Sequence, residues 1–274
     1  MNNLTALQRE LLSMFSTFHR YCVENDLSYY ALGGTMLGAL RHNGFIPWDD
    51  DIDVGMPRKD YDRLSSLLEN KKIDERYVLE TPQSNDINYY YPFSKLYDTK
   101  TTVIENTNNR LVRGIFIDIF PLDGLGKTIE ESRLNYNLIE RKINFLDLMR
   151  VKASSDRPFV KNIALILLHC LPESLVSKKK ICLKIVDLCK KHDFENEIYG
   201  GNLVGAWGFK EVMQREVFGI PKLYKFENIE IYGAEDADKY LTNQYGDWRK
   251  LPPVEKRITH HDYYLDLEHG YMDS

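Results

Sequence analysis

Apolar residues return every three or four positions at the start of the chain. Leu4, Leu7, Leu11, Phe15, Phe18 and Cys22 form one stripe, the spacing of an amphipathic helix that buries a single face. The period then shortens. Residues 28–32 read as a strand, Gly33-Gly34 as a tight turn, and Thr35 as the N-cap of a short helix running to Leu40. After a loop over 43–48, acidic and apolar residues alternate through 51–56 as they do in a strand. Pro57 opens another helix, with Tyr61, Leu64, Leu67 and Leu68 directed inward. Residues 77–81, 93–97 and 114–120 are further strands, and the last is the most strand-like.

The second half changes character. Residues 128–192 carry leucines and isoleucines at helical spacing, with a break around 154–158. Residues 226–232 read as a late strand or hairpin arm, 235–245 as a helix closed by Gly246, and Leu251-Pro252-Pro253 as extended chain. No internal repeat or low-complexity tract appears. The pattern predicts an α+β fold in one unit, 1–274. A packing helix (1–25), a mixed-sheet core (26–125), a helical region (126–210) and a segment packing back on the core (211–274) make it up.

Composition narrows the function. With 43% hydrophobic and 28% charged residues the chain is an ordinary globular protein. Its net charge of −5 gives no electrostatic footprint for nucleic acid. Four cysteines (Cys22, Cys170, Cys182, Cys189) sit in apolar surroundings, without the spacing of a disulfide framework, and read as reduced thiols. The start lacks the basic and then apolar layout of a signal peptide, which argues for a cytoplasmic protein. The apolar run from Ile163 ends at Pro172 and is shorter than the ~20 residues of a spanning helix. Residues 163–184 join apolar faces to Lys178-Lys179-Lys180. The segment reads either as a peripheral contact with the inner face of a membrane or as a core helix with a solvated basic turn.

The chemistry concentrates in the first third. Asp49, Asp51 and Asp53 alternate with Asp50, Ile52 and Val54, so a strand here places the three carboxylates on one face and the apolar side chains in the core. Adjacent carboxylates repel unless a cation compensates them, which makes the cluster a seat for a divalent metal rather than a solvated turn. A calcium loop of the EF-hand type fails, because Val54 stands at its required glycine and Asp60 at its bidentate glutamate. Asp118 is a third carboxylate, in an otherwise apolar strand. It is placed to complete the metal shell or to accept the proton of an attacking hydroxyl.

Upstream, the Gly33-Gly34-Thr35 turn opens a helix N-terminus, where a phosphate is favoured. Arg41, His42 and Lys95 are candidates to neutralise phosphate oxygens; their alternatives are helix C-terminal charges and a solvated lysine. Trp48 and the run Tyr89-Tyr90-Tyr91 could cage a quaternary ammonium. His260-His261, with Lys256 and Arg257, either enters the site or decorates a terminal loop. Cys182, Cys189 and His192 lack the paired spacing of a zinc site.

These residues resemble the LicD family, the phosphocholine-transferase group of the nucleotidyltransferase-fold superfamily that also includes the fukutin proteins. The resemblance rests on Tyr30-Ala31-Leu32-Gly33-Gly34-Thr35, Gly44-Phe45-Ile46-Pro47-Trp48-Asp49-Asp50-Asp51-Ile52-Asp53, Met56-Pro57-Arg58 and Phe116-Ile117-Asp118-Ile119-Phe120-Pro121-Leu122-Asp123-Gly124. Tyr245-Gly246-Asp247-Trp248 and Leu251-Pro252-Pro253 extend it, while the middle helices match only in character. It implies a nucleotidyltransferase-like mixed sheet flanked by helices with a helical insertion, and Mg²⁺ or Mn²⁺ on Asp51, Asp53 and Asp118. It further implies transfer of a phosphoalcohol, foremost phosphocholine from CDP-choline, to a hydroxyl of a teichoic acid or other surface glycan, free or lipid-linked. No obligate protein partner is implied. Glycerol or ribitol phosphate transfer to a capsular or wall polysaccharide, nucleotidyl transfer from a triphosphate, and a non-catalytic nucleotide sensor are the competing readings.

Overall fold

The first stripe folds as a helix. In the computed structural model, which describes residues 4–105, 111–151, 163, 165–166, 176–257, 259 and 263–272, α1 spans Ala6–Glu24. Thr5 caps it, its hydroxyl accepting from the Gln8 N–H while the Gln8 side chain accepts from the Thr5 N–H, both at 3.1 Å. Leu7, Leu11, Phe15, Phe18 and Cys22 are buried as the periodicity predicts. Gln8 is buried among them and reaches out of α1: its amide donates to the Asp49 carbonyl at 2.9 Å. The opening helix thereby pins the acidic loop.

β1 (Tyr30–Ala31) leads into α2 (Gly33–His42), β2 (Asp53–Pro57) and α3 (Arg58–Leu67). β3 (Lys72–Ile73), β4 (Tyr77–Glu80), β5 (Ser94–Asp98), β6 (Thr102–Glu105), β7 (Val112–Arg113) and β8 (Phe116–Gly126) follow. The central sheet runs β1-β2-β8-β5-β4-β3; β2 and β8 are parallel and the other pairs along it antiparallel. The mixed sheet with flanking helices is the α+β architecture expected of the chain.

β8 runs well beyond residue 120. Its far half, from Leu122 to Gly126, pairs with β9 (Tyr199–Asn202), which in turn pairs with β10 (Val212–Gln214). A partner some 75 residues downstream extends it, so local pattern ends the strand too early. α4 (Ile129–Arg150), capped by Thr128, and α5 (Lys178–Cys189), capped by Ser177, cover one side. The break expected at 154–158, Cys170 and most of the apolar run from Ile163 lie outside the described residues.

The strand expected over 226–232 straddles the turn of a hairpin, β11 (Lys222–Phe226) and β12 (Ile229–Gly233), with Glu227 at φ 54° between its arms. α6 (Ala237–Tyr245) ends at Gly246, φ 71°, as the glycine predicts. β13 (Tyr263–Asp266) returns to pair with β6. Two residues from separate motifs, Arg58 on α3 and Asp123 on β8, form a buried bidentate ion pair at 2.7 and 2.6 Å.

Among the described residues no helix is long and apolar enough to cross a membrane. Of the three basic residues opening α5, Lys179 donates to the carbonyls of Asp86 and Tyr89, and Lys178 lies over the Tyr90 ring. Only Lys180 of the three is exposed.

Candidate active site

Register puts the chemistry in one row. Asp53 of β2 stands beside Asp118 of β8 in the parallel pair, and Asp118 stands opposite Lys95 of β5 in the antiparallel one. Side chains in register on neighbouring strands share a face, so the three line up across the sheet. The Lys95 ammonium lies 2.8 Å from Asp118 Oδ1. It is also roofed by Phe116, Tyr91 and Phe93, whose ring centres are 3.5, 4.7 and 5.6 Å away. At 4% exposure it is committed to Asp118. The sequence offers Lys95 to phosphate oxygens, whereas the structure gives its charge to the strand carboxylate.

Asp49 and Asp51 lie in the loop before β2, not on the strand itself. The loop nevertheless brings them to the same place. Burial, and then Asp51, Asp118 and Asp49 in that order, hold the Asp53 carboxyl well above the usual range. Burial also raises Asp118, with Lys95 opposing and Asp51 adding to the rise. Gly33 and Gly34 make the close approach feasible. A Cβ on Gly34 would stand 2.5 Å from Asp49 Oδ2, and one on Gly33, at φ +49°, 3.4 Å from Asp53 Oδ2.

The helix starts three residues earlier than expected and takes in both glycines. Leu32 is the N-cap, and Thr35 lies inside α2, where its hydroxyl accepts from the Asp53 N–H at 2.9 Å. Thr35 thus ties the turn to the carboxylate strand. The Gly33 N–H donates to the buried Tyr240 hydroxyl of α6 at 2.9 Å, so one of the free helix-start donors is already used. Near the other end of α2, Arg41 donates from Nε to His42 Nε2 and from Nη1 to the Trp248 carbonyl, each at 3.0 Å. Burial and the Arg41 charge both lower the His42 pKa, which suits a neutral ring orienting the guanidinium.

Two chambers meet at this ridge. The first, about 610 Å³, runs from Asp51, Asp53 and Asp118 toward α4, and Phe120, Tyr136, Glu140 and Glu211 are among its walls. The second, about 670 Å³, runs from Asp49, Asp51 and Asp53 toward Arg41, Trp48, Tyr245, Trp248, Lys250 and Lys256. Gly34, Asp51, Asp53, Ala206 and Trp207 line both. His260 and His261 lie outside the described residues.

The expected ammonium cages hold the chain's own cations. Arg150 covers Tyr90 and Tyr91, Lys179 covers Tyr89, and Arg257 lies over Trp48 at 5.4 Å. Cys182 and Cys189 are buried and free, and His192 hydrogen-bonds Glu197. Among the described residues no three His, Cys, Asp or Glu side chains are drawn into a closed metal-binding group. The oxygen donors at the ridge still fit a hard divalent cation. Asp53 carries a strongly raised carboxyl because it is buried and because neighbouring carboxylates face it, and a cation between them would relieve the second of these costs.

Two wall residues are absent from any sequence signal. Glu211, 6% exposed, accepts from the Trp207 N–H at 3.0 Å, and burial pushes its carboxyl up to about 7. Gly205 leaves it room, since a Cβ there would collide with the Glu211 carboxylate. Both residues belong to the loop around β9 and β10, whose placement depends on pairing with distant β8.

Residues 26–145 match the family described as LicD/FKTN/FKRP, nucleotidyltransferase domain. The chain is 30% identical over 267 residues to the lipopolysaccharide cholinephosphotransferase LicD of Haemophilus influenzae, covering 95% of this chain and 97% of that one. An uncharacterized protein of Rickettsia prowazekii is 30% identical over 88 residues, 32% of this chain and 28% of its own. The human ribitol 5-phosphate transferase FKRP is 37% identical over 62 residues, 21% of this chain and 12% of its own. The near-complete match in both directions with the first of these decides the relationship: the chain belongs to the LicD family.

Proposed function

We propose that this protein transfers a phosphoalcohol, foremost phosphocholine, from a CDP-alcohol to a hydroxyl of a cell-surface glycan, releasing CMP. The observation that carries this reading is the full-length similarity to a lipopolysaccharide cholinephosphotransferase. The carboxylate ridge between two chambers supports it, because phosphoryl transfer depends mainly on positioning and charge neutralisation. Ribitol phosphate is the second reading, favoured by the local match to a ribitol 5-phosphate transferase.

In this reading Asp51 and Asp53 would hold Mg²⁺ or Mn²⁺, which supplies the positive charge that a pyrophosphate needs to part. Gly33 and Gly34 let the donor approach the backbone of α2 without a Cβ in the way. Arg41, oriented by His42 and the Trp248 carbonyl, faces the departing phosphate side. Lys95 holds Asp118 Oδ1, leaving Oδ2 to take the proton of the acceptor hydroxyl.

The test is CMP release from a panel of CDP-alcohols with Mg²⁺ or Mn²⁺ and soluble or lipid-linked glycan acceptors, with Asp51→Asn as control. Acceptor-dependent CMP from one donor, lost in the folded variant, is the expected result. A fully active Asp51→Asn protein, or pyrophosphate release from a triphosphate with no CDP donor used, overturns the reading.

A further inference from the structure

The two chambers differ in charge. Apart from the shared residues, the first carries Asp118, Glu140, Asp147 and Glu211 against one guanidinium, Arg150. That guanidinium is already engaged: it donates to Asp147 at 3.0 Å and to the Tyr90 carbonyl at 2.7 Å. The second carries Arg41, Lys250 and Lys256 against Asp49 and Asp247, and adds the flat walls of Trp48, Tyr245 and Trp248. An acidic chamber and a basic, aromatic one thus adjoin along a single ridge.

Resting on the transferase reading above, we infer that the chambers divide the donor: the second holds the nucleoside monophosphate that leaves, and the first holds the transferred alcohol and the incoming hydroxyl. The charges favour this orientation. The leaving CMP is an anion with a planar base, which the positive charges of Lys250, Lys256 and Arg41 attract and the Tyr245 ring can stack. In the reverse orientation it would meet Glu140, Asp147 and Glu211 with Arg150 already bound elsewhere. In-line displacement needs attacking and leaving oxygens on opposite sides of phosphorus, and a phosphorus seated at Asp51 and Asp53, which line both chambers, can have one oxygen in each. The acceptor oxygen forms its bond to the distal phosphorus from the first chamber. The bond from that phosphorus to the bridging oxygen breaks with its electron pair retained on CMP, and the hydroxyl proton passes to Asp118.

The chain contains its own reporter. It has three tryptophans, and all three (Trp48, Trp207 and Trp248) line the second chamber. CMP titrated into the protein with Mg²⁺ is therefore expected to change intrinsic fluorescence, and calorimetry gives the affinity independently of turnover. Lys250→Ala combined with Lys256→Ala is expected to weaken CMP about tenfold, the effect of losing two exposed charge contacts. Glu140→Gln is expected to leave CMP affinity unchanged. Because both lysines are exposed, the double variant should fold like the wild type. CMP that binds wild type and the double-lysine variant equally, or that responds to Glu140→Gln instead, overturns the assignment and leaves the transferase reading standing. A wild-type protein that binds neither CMP nor any CDP-alcohol, but does bind a nucleoside triphosphate, overturns the transferase reading and this inference with it.

Discussion

Glu211→Gln should make the protein more stable in mild alkali, by an amount that the buried carboxyl dictates. Glu211 is 6% exposed, and its pKa is pushed from 4.5 up to about 7 by burial. A raised folded-state value means the native chain holds the proton more tightly than the unfolded one. The corresponding stability is fully present below about pH 4.5 and is lost as pH rises through about 7. Gln keeps a carbonyl oxygen for the Trp207 N–H and cannot ionise. Linkage then gives the variant an advantage of about 1 kcal/mol at pH 5 and about 3 kcal/mol at pH 8.

The assay is urea unfolding of both proteins at pH 5, 6.5 and 8 in the presence of EDTA, read as the difference between them. Asp53 and Asp118 also have raised pKa values, but they titrate in both proteins and largely cancel. The Gln amide can meet a second amide, that of Asn202, and such a mismatch would cost about 1 kcal/mol. That cost is independent of pH and displaces the whole curve. The slope therefore carries the information: parallel curves for the two proteins, or a wild type that gains on the variant as pH rises, would refute the burial argument.

Three other perturbations follow from the geometry. Asp123→Ala leaves the Arg58 guanidinium buried without its bidentate partner and should cost about 3–5 kcal/mol in urea unfolding; a cost under about 1 kcal/mol would mean that water replaces the carboxylate. Gly34→Ala puts a Cβ 2.5 Å from Asp49 Oδ2, so the carboxylate must move; CMP release should fall about a hundredfold while the melting temperature changes little, and unchanged turnover would free Asp49 from any site role. Mg²⁺ at a hundred times its dissociation constant should stabilise the wild type by about 2.7 kcal/mol in thermal unfolding and leave Asp53→Asn unaffected; equal shifts would place the cation elsewhere.

Much of this could be read before any coordinates. The stripe of α1, the inward face of α3 and the helix stop at Gly246 are local signals, each written within one or two turns of chain, whereas the glycine pair expected as a turn is the first turn of α2 itself. What failed to show are features set by distant partners. The second half of β8 exists because β9 covers it, and the hairpin of β11 and β12 begins four residues before the expected strand. Glu211 belongs to the site because that β9–β10 pairing carries its loop there. No periodicity around residue 211 announces it.

Lys95 shows the same limit in the chemistry. A lysine four residues past the Tyr89-Tyr90-Tyr91 run is, by composition, as good a phosphate ligand as any. Only register decides that it faces Asp118, and only burial makes that pairing exclusive. Once it is paired, the charge arithmetic of the ridge changes. Asp118 is held by an ammonium while Asp53 still faces Asp51 and Asp49. The excess negative charge thus sits on the side of the ridge where the two chambers join, which is where a cation and a pyrophosphate together would be neutral enough to bind. On the proposed transferase reading, the sheet register, more than the acidic motif itself, would put a cation between the two halves of the donor.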